Sequence, residues 1–296
     1  MRQAKLIGAS QIGFFHDAPV PEPKPGTARV RIKAVGICGS DKHLFLHGKI
    51  GETQISEPFV IGHEAMGVVD AVGEGVVRNL VGRRVAIEPA IPCHHCECCI
   101  RGDMNLCLNI RFLGHPPTPG AFQEFIIHPA DLLEPVPDSV TDAGAVMLEP
   151  LAVVVHAFDL GRIRFGSRVA VLGCGPIGLL AVWTARMLQP SVLLATDILD
   201  YRLDVAKSLG ASHVGNPSRQ DIVAHAREIT QGKGFDTVIE AATSDDTGEQ
   251  MTAIAGAGAK ILIIGITLSD RISFCHATAR RKGLTFFMVR RSRNTL

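Results

Sequence analysis

Four cysteines crowd one short stretch of this chain, at Cys93, Cys96, Cys99 and Cys107. The first three recur at every third residue. The last follows a turn-forming run through Gly102, Asp103 and Asn105. Thiolates at this spacing can surround one Zn²⁺ tetrahedrally, which ties a loop into a knot without a hydrophobic core of its own. Cys98 is a fifth thiol inside the run. His94 and His95 also stand there, but thiolates are the softer and better-spaced donors.

The 296 residues suffice for two domains of ordinary size. The 30 basic and 29 acidic residues leave a formal charge of +1. No basic stripe stands out, so neither nucleic acid nor a membrane surface is expected as a partner. Eight cysteines are too few for a disulfide scaffold. The N-terminus lacks the apolar centre of a secretory signal, and no apolar run is long enough to cross a bilayer. Together these features predict a cytoplasmic protein.

The chain reads as two halves. Up to about residue 150, short β-rich runs at Ala28–Val35, Ala65–Val72, Arg84–Ile87 and Ala121–Ile127 are broken by Gly and Pro. Pro19–Gly26 reads as a stiff connector. Beyond that point strands and helices alternate. Strands are predicted at Arg168–Leu172, Val192–Thr196, Phe235–Glu240, Lys260–Ile264 and Leu284–Val289. Helices are predicted at Pro176–Leu188 and Asp200–Leu209. This alternation is the signature of a doubly wound parallel sheet, so the expected class is α/β.

The first strand of that half runs into Gly173-Cys174-Gly175-Pro176-Ile177-Gly178, a G-x-G-x-x-G turn between strand and helix. Gly173 permits the turn, Gly175 lets backbone approach a pyrophosphate, and Gly178 lets helix and strand pack closely. The next strand ends at Asp197, where an acid can accept hydrogen bonds from ribose hydroxyls and repel a 2′-phosphate. NAD is therefore expected over NADP, although Arg202 stands close by. Ile177 and the later run Ile264, Gly265 and Ile266 complete the candidate coenzyme residues.

A second group of metal donors is scattered. Cys38 lies in Gly36-Ile37-Cys38-Gly39-Ser40-Asp41-Lys42-His43, His63 and Glu64 lie in Gly62-His63-Glu64, and Glu149 opens the second half. Mixed S, N and O donors suit a catalytic zinc that keeps one position open.

With these motifs in this order, the chain resembles the zinc-containing medium-chain dehydrogenases/reductases. The resemblance implies a GroES-like catalytic domain over residues 1–151, with a structural zinc lobe near 90–110. A Rossmann NAD-binding domain over 152–296 would follow. It implies one catalytic and one structural Zn²⁺, a small-molecule alcohol substrate, and a homo-oligomer, dimer or tetramer. Cys38 and His63 would bind the catalytic zinc. Glu64 would be the third ligand or exchange with water, and Glu149 would bind the metal or hold its water. Ser40 and His43 stand at the family's proton-relay spacing, and Asp41 would orient a ligand.

Leu148–Val153, Val155-His156-Ala157 and Arg291–Thr295 look most like the sorbitol and polyol dehydrogenases. L-threonine 3-dehydrogenases share the metal residues and form the alternative. Leu44 and Ser292 occupy places where tyrosines are common and substrate contact is expected. The resemblance also implies a C-terminal return to the first domain, which is expected to be missing here. Three readings follow: a shortened active enzyme that oligomerises, an inactive fragment, or a zinc- and nucleotide-binding protein without turnover.

Overall fold

The computed structural model describes all residues except 52, 56–57, 243, 245, 268–270 and 294–296. The last two residues of the Arg291–Thr295 motif thus lie outside the described residues. The chain divides into two compact units, Met1–Glu149 and Pro150–Thr295.

The first unit opens with the hairpin β1 (Gln3–Gly8) and β2 (Gln11–Phe15), then β3 (Thr27–Val35). Helix α1 (Gly39–His47) is followed by the short strands β4 (Lys49–Ile50) and β5 (Thr53–Gln54). Strands β6 (Ala65–Val72), β7 (Arg84–Ile87) and β8 (Ala90–Ile91) come next. The lobe carries α2 (Glu97–Ile100), and β9 (Arg111–Phe112), β10 (Phe125–Pro129) and β11 (Leu133–Pro135) follow it. Helix α3 (Asp142–Val146) precedes α4 (Leu148–Gly161).

Strands β10-β3-β6-β7-β11 form an antiparallel sheet. In β3, Ala28 and Val30 turn inward while Arg31 is exposed, the alternation expected of a sheet wet on one face. Val69, Val85, Ile87 and Ile126 close the core around them. The predicted strand Ala121–Ile127 starts later, at Phe125. Residues 120–122 instead spend their amides on the carbonyls of Val60, Gly62 and Ile61. Those bonds tie this loop to the segment that carries His63.

The second unit begins within α4 and continues with β12 (Arg168–Leu172), α5 (Pro176–Met187), β13 (Val192–Thr196) and α6 (Asp200–Ser208). Then come β14 (His213–Gly215), α7 (Ile222–Ile229), β15 (Phe235–Glu240) and α8 (Thr247–Ile254). Strand β16 (Ala255–Ile263), α9 (His276–Lys282) and β17 (Thr285–Met288) complete it. The six parallel strands lie in the order β14-β13-β12-β15-β16-β17. The order reverses between β12 and β15, so the crevice outside their carboxyl ends is where such a sheet binds ligands. Val169–Leu172 and Leu193–Ala195 are buried without alternation because helices cover both faces. Strand β16 begins five residues before its predicted start, because Gly256 and Gly258 interrupt the apolar pattern there.

Candidate metal centres and coenzyme site

The lobe cysteines converge. Sγ of Cys96 lies 3.5 Å from that of Cys99 and 3.9 Å from that of Cys107, and Cys93 lies 4.0 Å from Cys99. Four thiolates at zinc's usual bond length form a tetrahedron with edges of about 3.8 Å. The spacing is far too wide for disulfides, and all the cysteines are free. The backbone amide of His95 lowers the Cys93 pKa to about 5, and that of Cys99 lowers Cys96. Burial, opposing this, pushes Cys99 up to about 12. The donor geometry fits a closed S₄ zinc site. Cys98 stands outside it, buried, with the Arg101 guanidinium 3.6 Å from its sulfur. His94 and His95 are exposed, and His95 Nδ1 engages the Cys93 carbonyl.

The scattered donors also meet. Cys38, at the start of α1, and His63 and Glu64, just before β6, each bring one ligand atom within 4.8 Å of the others. Three donors of mixed type, leaving a position open, fit a catalytic zinc. Buried Asp41 ties the group together: Oδ2 accepts from Cys38 N–H at 3.0 Å and Oδ1 from Gly62 N–H at 3.2 Å. Burial works to lower the His63 pKa, but hydrogen bonds to Asp41 and Cys38 carry it well above the ordinary value. Burial also raises Glu64.

Glu149 lies outside this three-donor set among the described residues. It is buried, and burial raises its pKa to about 7, with Glu64, Glu88 and Asp41 adding to the rise and His63 opposing it. Ser40 and His43 sit in the first turns of α1, one helical step apart and half-buried. Leu44 does not face an open pocket: it is 2% exposed and packs with Leu6 and Ile61. Ser292 is likewise buried.

In the second unit the fingerprint glycines occupy the β12–α5 turn. Gly173 has φ 93°, and a Cβ on Gly178 would fall 1.8 Å from the Gly173 carbonyl oxygen. A Cβ on Gly175, which caps α5, would meet nothing within 4 Å, so this face of the loop is open to a ligand. Pro176 fills the first helical position, where no amide is missed. Asp197 accepts from Cys174 N–H at 2.8 Å and Leu199 N–H at 2.9 Å, and Arg202 reaches it at 3.5 Å. Ile177, Ile264 and Gly265 are half-buried and Ile266 is exposed, the last three following β16. The loop fits a dinucleotide.

Residues 24–138 match the alcohol dehydrogenase GroES-like domain, and residues 176–295 match the zinc-binding dehydrogenase family. Sorbitol dehydrogenase of Bacillus subtilis is 37% identical over 254 residues, covering 86% of this chain and 72% of that protein. The chain belongs to the zinc-binding dehydrogenases. D-xylulose reductase A of Aspergillus niger is 38% identical over 236 residues, covering 78% of this dehydrogenase and 66% of the relative. Among solved structures, a short chain alcohol dehydrogenase from Escherichia coli CFT073 complexed with cofactor NADH superposes with a TM-score of 0.91 at 32% identity. That match covers 99% of this chain and 84% of the other.

Some residues of this dehydrogenase's site escape sequence reasoning. A Cβ at Gly36 would lie 2.3 Å from Glu64 Oε2, so Gly36 makes room for that carboxylate. The Phe112 ring stands 5.2 Å from the His63 ring. Gly36 opens the Cys38 motif, and a glycine beside a candidate donor was the signal available for it; Phe112 carried none. No helix among the described residues is long and apolar enough to cross a membrane.

Proposed function

We propose that the first unit is the catalytic unit and the second the coenzyme unit of a zinc-dependent oxidoreductase that oxidises a secondary, polyol-type alcohol with NAD⁺. The observation that carries this reading is the convergence of Cys38, His63 and Glu64, with Glu149 buried beside them. The likeness to sorbitol dehydrogenase and D-xylulose reductase supports polyols as the substrate class. Cys38, His63 and Glu64 would hold the catalytic zinc, and Cys93, Cys96, Cys99 and Cys107 the structural one. When bound, zinc supplies a Lewis acid that makes an alcohol hydroxyl acidic near neutrality, and NAD⁺ supplies a hydride acceptor.

The chain's own residues then have distinct tasks. Ser40 takes the hydroxyl proton and His43 passes it to solvent. Asp41 fixes the His63 ring. Glu149, with a pKa near 7, holds a proton or a water beside Glu64. The α5 N-terminus and the glycine turn receive the pyrophosphate, while Asp197 receives the ribose hydroxyls and disfavours NADP.

The test is NAD⁺ reduction, followed as absorbance of NADH, across polyols, simple alcohols and L-threonine, with zinc measured on the same sample. Turnover of polyols with about two zinc atoms per chain is expected. Turnover of L-threonine alone would overturn the polyol assignment.

A further inference from the structure

Glu240 ends β15, at the point where the strand order reverses. It is 0% exposed, and nothing in the chemistry above employs it. A carboxyl group buried this completely is costly unless it is hydrogen-bonded or neutral. One oxygen is well used: Oε1 accepts from Ala242 N–H at 3.0 Å and lies 3.1 Å from the Thr247 hydroxyl, whose single proton also faces the Ser244 carbonyl at 2.8 Å. The other, Oε2, has no hydrogen-bond partner among the described residues. Burial raises the pKa to about 7, against the pull of Thr247 and the Ala242 amide.

The peptide that Glu240 grips is a spacer. A Cβ on Gly173 would lie 2.7 Å from Ala242 N, and a Cβ on Gly265 would lie 2.2 Å from Ala242 O. Ala241 N–H also donates to Leu172 O, immediately before Gly173. On the far side, the Glu240 carbonyl accepts from the amides of Ile264 and Gly265. Residues 241–242 are thus wedged between the glycine turn and the Ile264–Ile266 segment. Their position sets where both can lie.

We propose that Glu240 is a positioning residue for the coenzyme, its carboxyl group locking the Ala241–Ala242 peptide between Gly173 and Gly265 and so holding the pyrophosphate loop in its binding shape. This rests on the reading of that loop as a dinucleotide site.

The experiment measures NADH affinity by fluorescence on the whole chain, with thermal midpoint and zinc content as controls. Wild-type protein that binds no NADH would overturn the dinucleotide reading itself. With wild-type binding in hand, Glu240→Ala is expected to weaken NADH at least about tenfold while zinc content is kept. A preorganised contact network commonly carries that much. Glu240→Gln keeps an acceptor at the Oε1 position, so it should remain within about threefold of wild type. Thr247→Val removes the hydroxyl contact to Oε1 and should fall between them, which keeps the test open if Glu240→Ala does not fold. A lowered thermal midpoint with unchanged NADH affinity in Glu240→Ala and Thr247→Val would reduce Glu240 to a fold-stabilising group and overturn the proposal. So would a Glu240→Gln variant as weak as Glu240→Ala, since the charge rather than the geometry would then matter.

Discussion

Asp41 Oδ1 lies 3.5 Å from His63 Nδ1, and both side chains are almost fully buried. The same carboxylate holds Cys38 N–H through its other oxygen. One acid therefore orients two of the three donors. Outer-shell partners of metal ligands typically account for ten- to a hundredfold in affinity. Asp41→Asn should weaken catalytic zinc binding by about that factor. A chelator titration read by metal content would show one zinc leaving early while the lobe zinc stays. Loss of both together would contradict the assignment.

Cys38→Ser should abolish NAD⁺ reduction while leaving fold and NADH affinity largely intact. Lewis-acid stabilisation is worth several kcal/mol, which corresponds to roughly a 10³-fold loss of turnover. Activity within a few-fold of wild type in a variant with one zinc would sink the role given to Cys38.

The lobe was the most legible part of the chain, because its ligands are local: spacing alone predicts that four thiols can converge. The scattered donors Cys38, His63 and Glu64 were less so. Cys38 and His63 meet only because β3 and β6 pair, bringing the segments after Val35 and before Ala65 side by side. A resemblance could name those residues, but no local pattern could. Strands β12, β13 and β15 were legible to the residue, since strands buried on both faces read as unbroken apolar runs, whereas β16 begins five residues early and the three-residue β14 was not anticipated. Helix α1 escaped notice because its apolar residues, Leu44-Phe45-Leu46, are consecutive rather than spaced along one face. Glu240 was invisible for another reason: an acid at a strand end reads as a solvated group until the sheet buries it.

Cys96→Ser should act on stability rather than chemistry. The Cys96 sulfur stands within hydrogen-bonding range of two other thiols, so its loss opens a closed S₄ site. Structural zinc binding contributes folding free energy outright. A drop of several degrees in thermal midpoint is expected, with turnover per folded molecule within about threefold of wild type. A stable variant with no turnover would show instead that the lobe belongs to the chemistry.

Asp197 presents its carboxylate at the end of β13, already engaged by the Cys174 amide. A 2′-phosphate placed there would meet like charge at close range, which costs several kcal/mol. Asp197→Ser removes that repulsion and leaves Arg202 without its ion-pair partner. The ratio of NAD to NADP affinity should fall by about tenfold or more. An unchanged ratio would move the discriminating contact elsewhere.

His128 gives the first unit an acid-sensitive element away from the metal. Its ring is 1% exposed, and Nε2–H donates to the Glu88 carbonyl at 2.8 Å. Nδ1 has no partner among the described residues, so a second proton would enter a site that offers it nothing. Burial accordingly lowers the pKa from 6.5 to about 4. The sign follows from linkage. Between pH 6.5 and 4 the unfolded chain binds a proton that the folded one refuses, so stability falls as pH falls. The penalty is roughly 2 kcal/mol at pH 5 and levels off near 3 kcal/mol below pH 4, at 1.36 kcal/mol per pKa unit. His128→Gln keeps a donor for Glu88 and cannot titrate. Urea unfolding at pH 7 and pH 5 should show wild type losing about 2 kcal/mol more than the variant over that interval. Equal losses in the two proteins would mean that His128 is accessible to protons in the folded state.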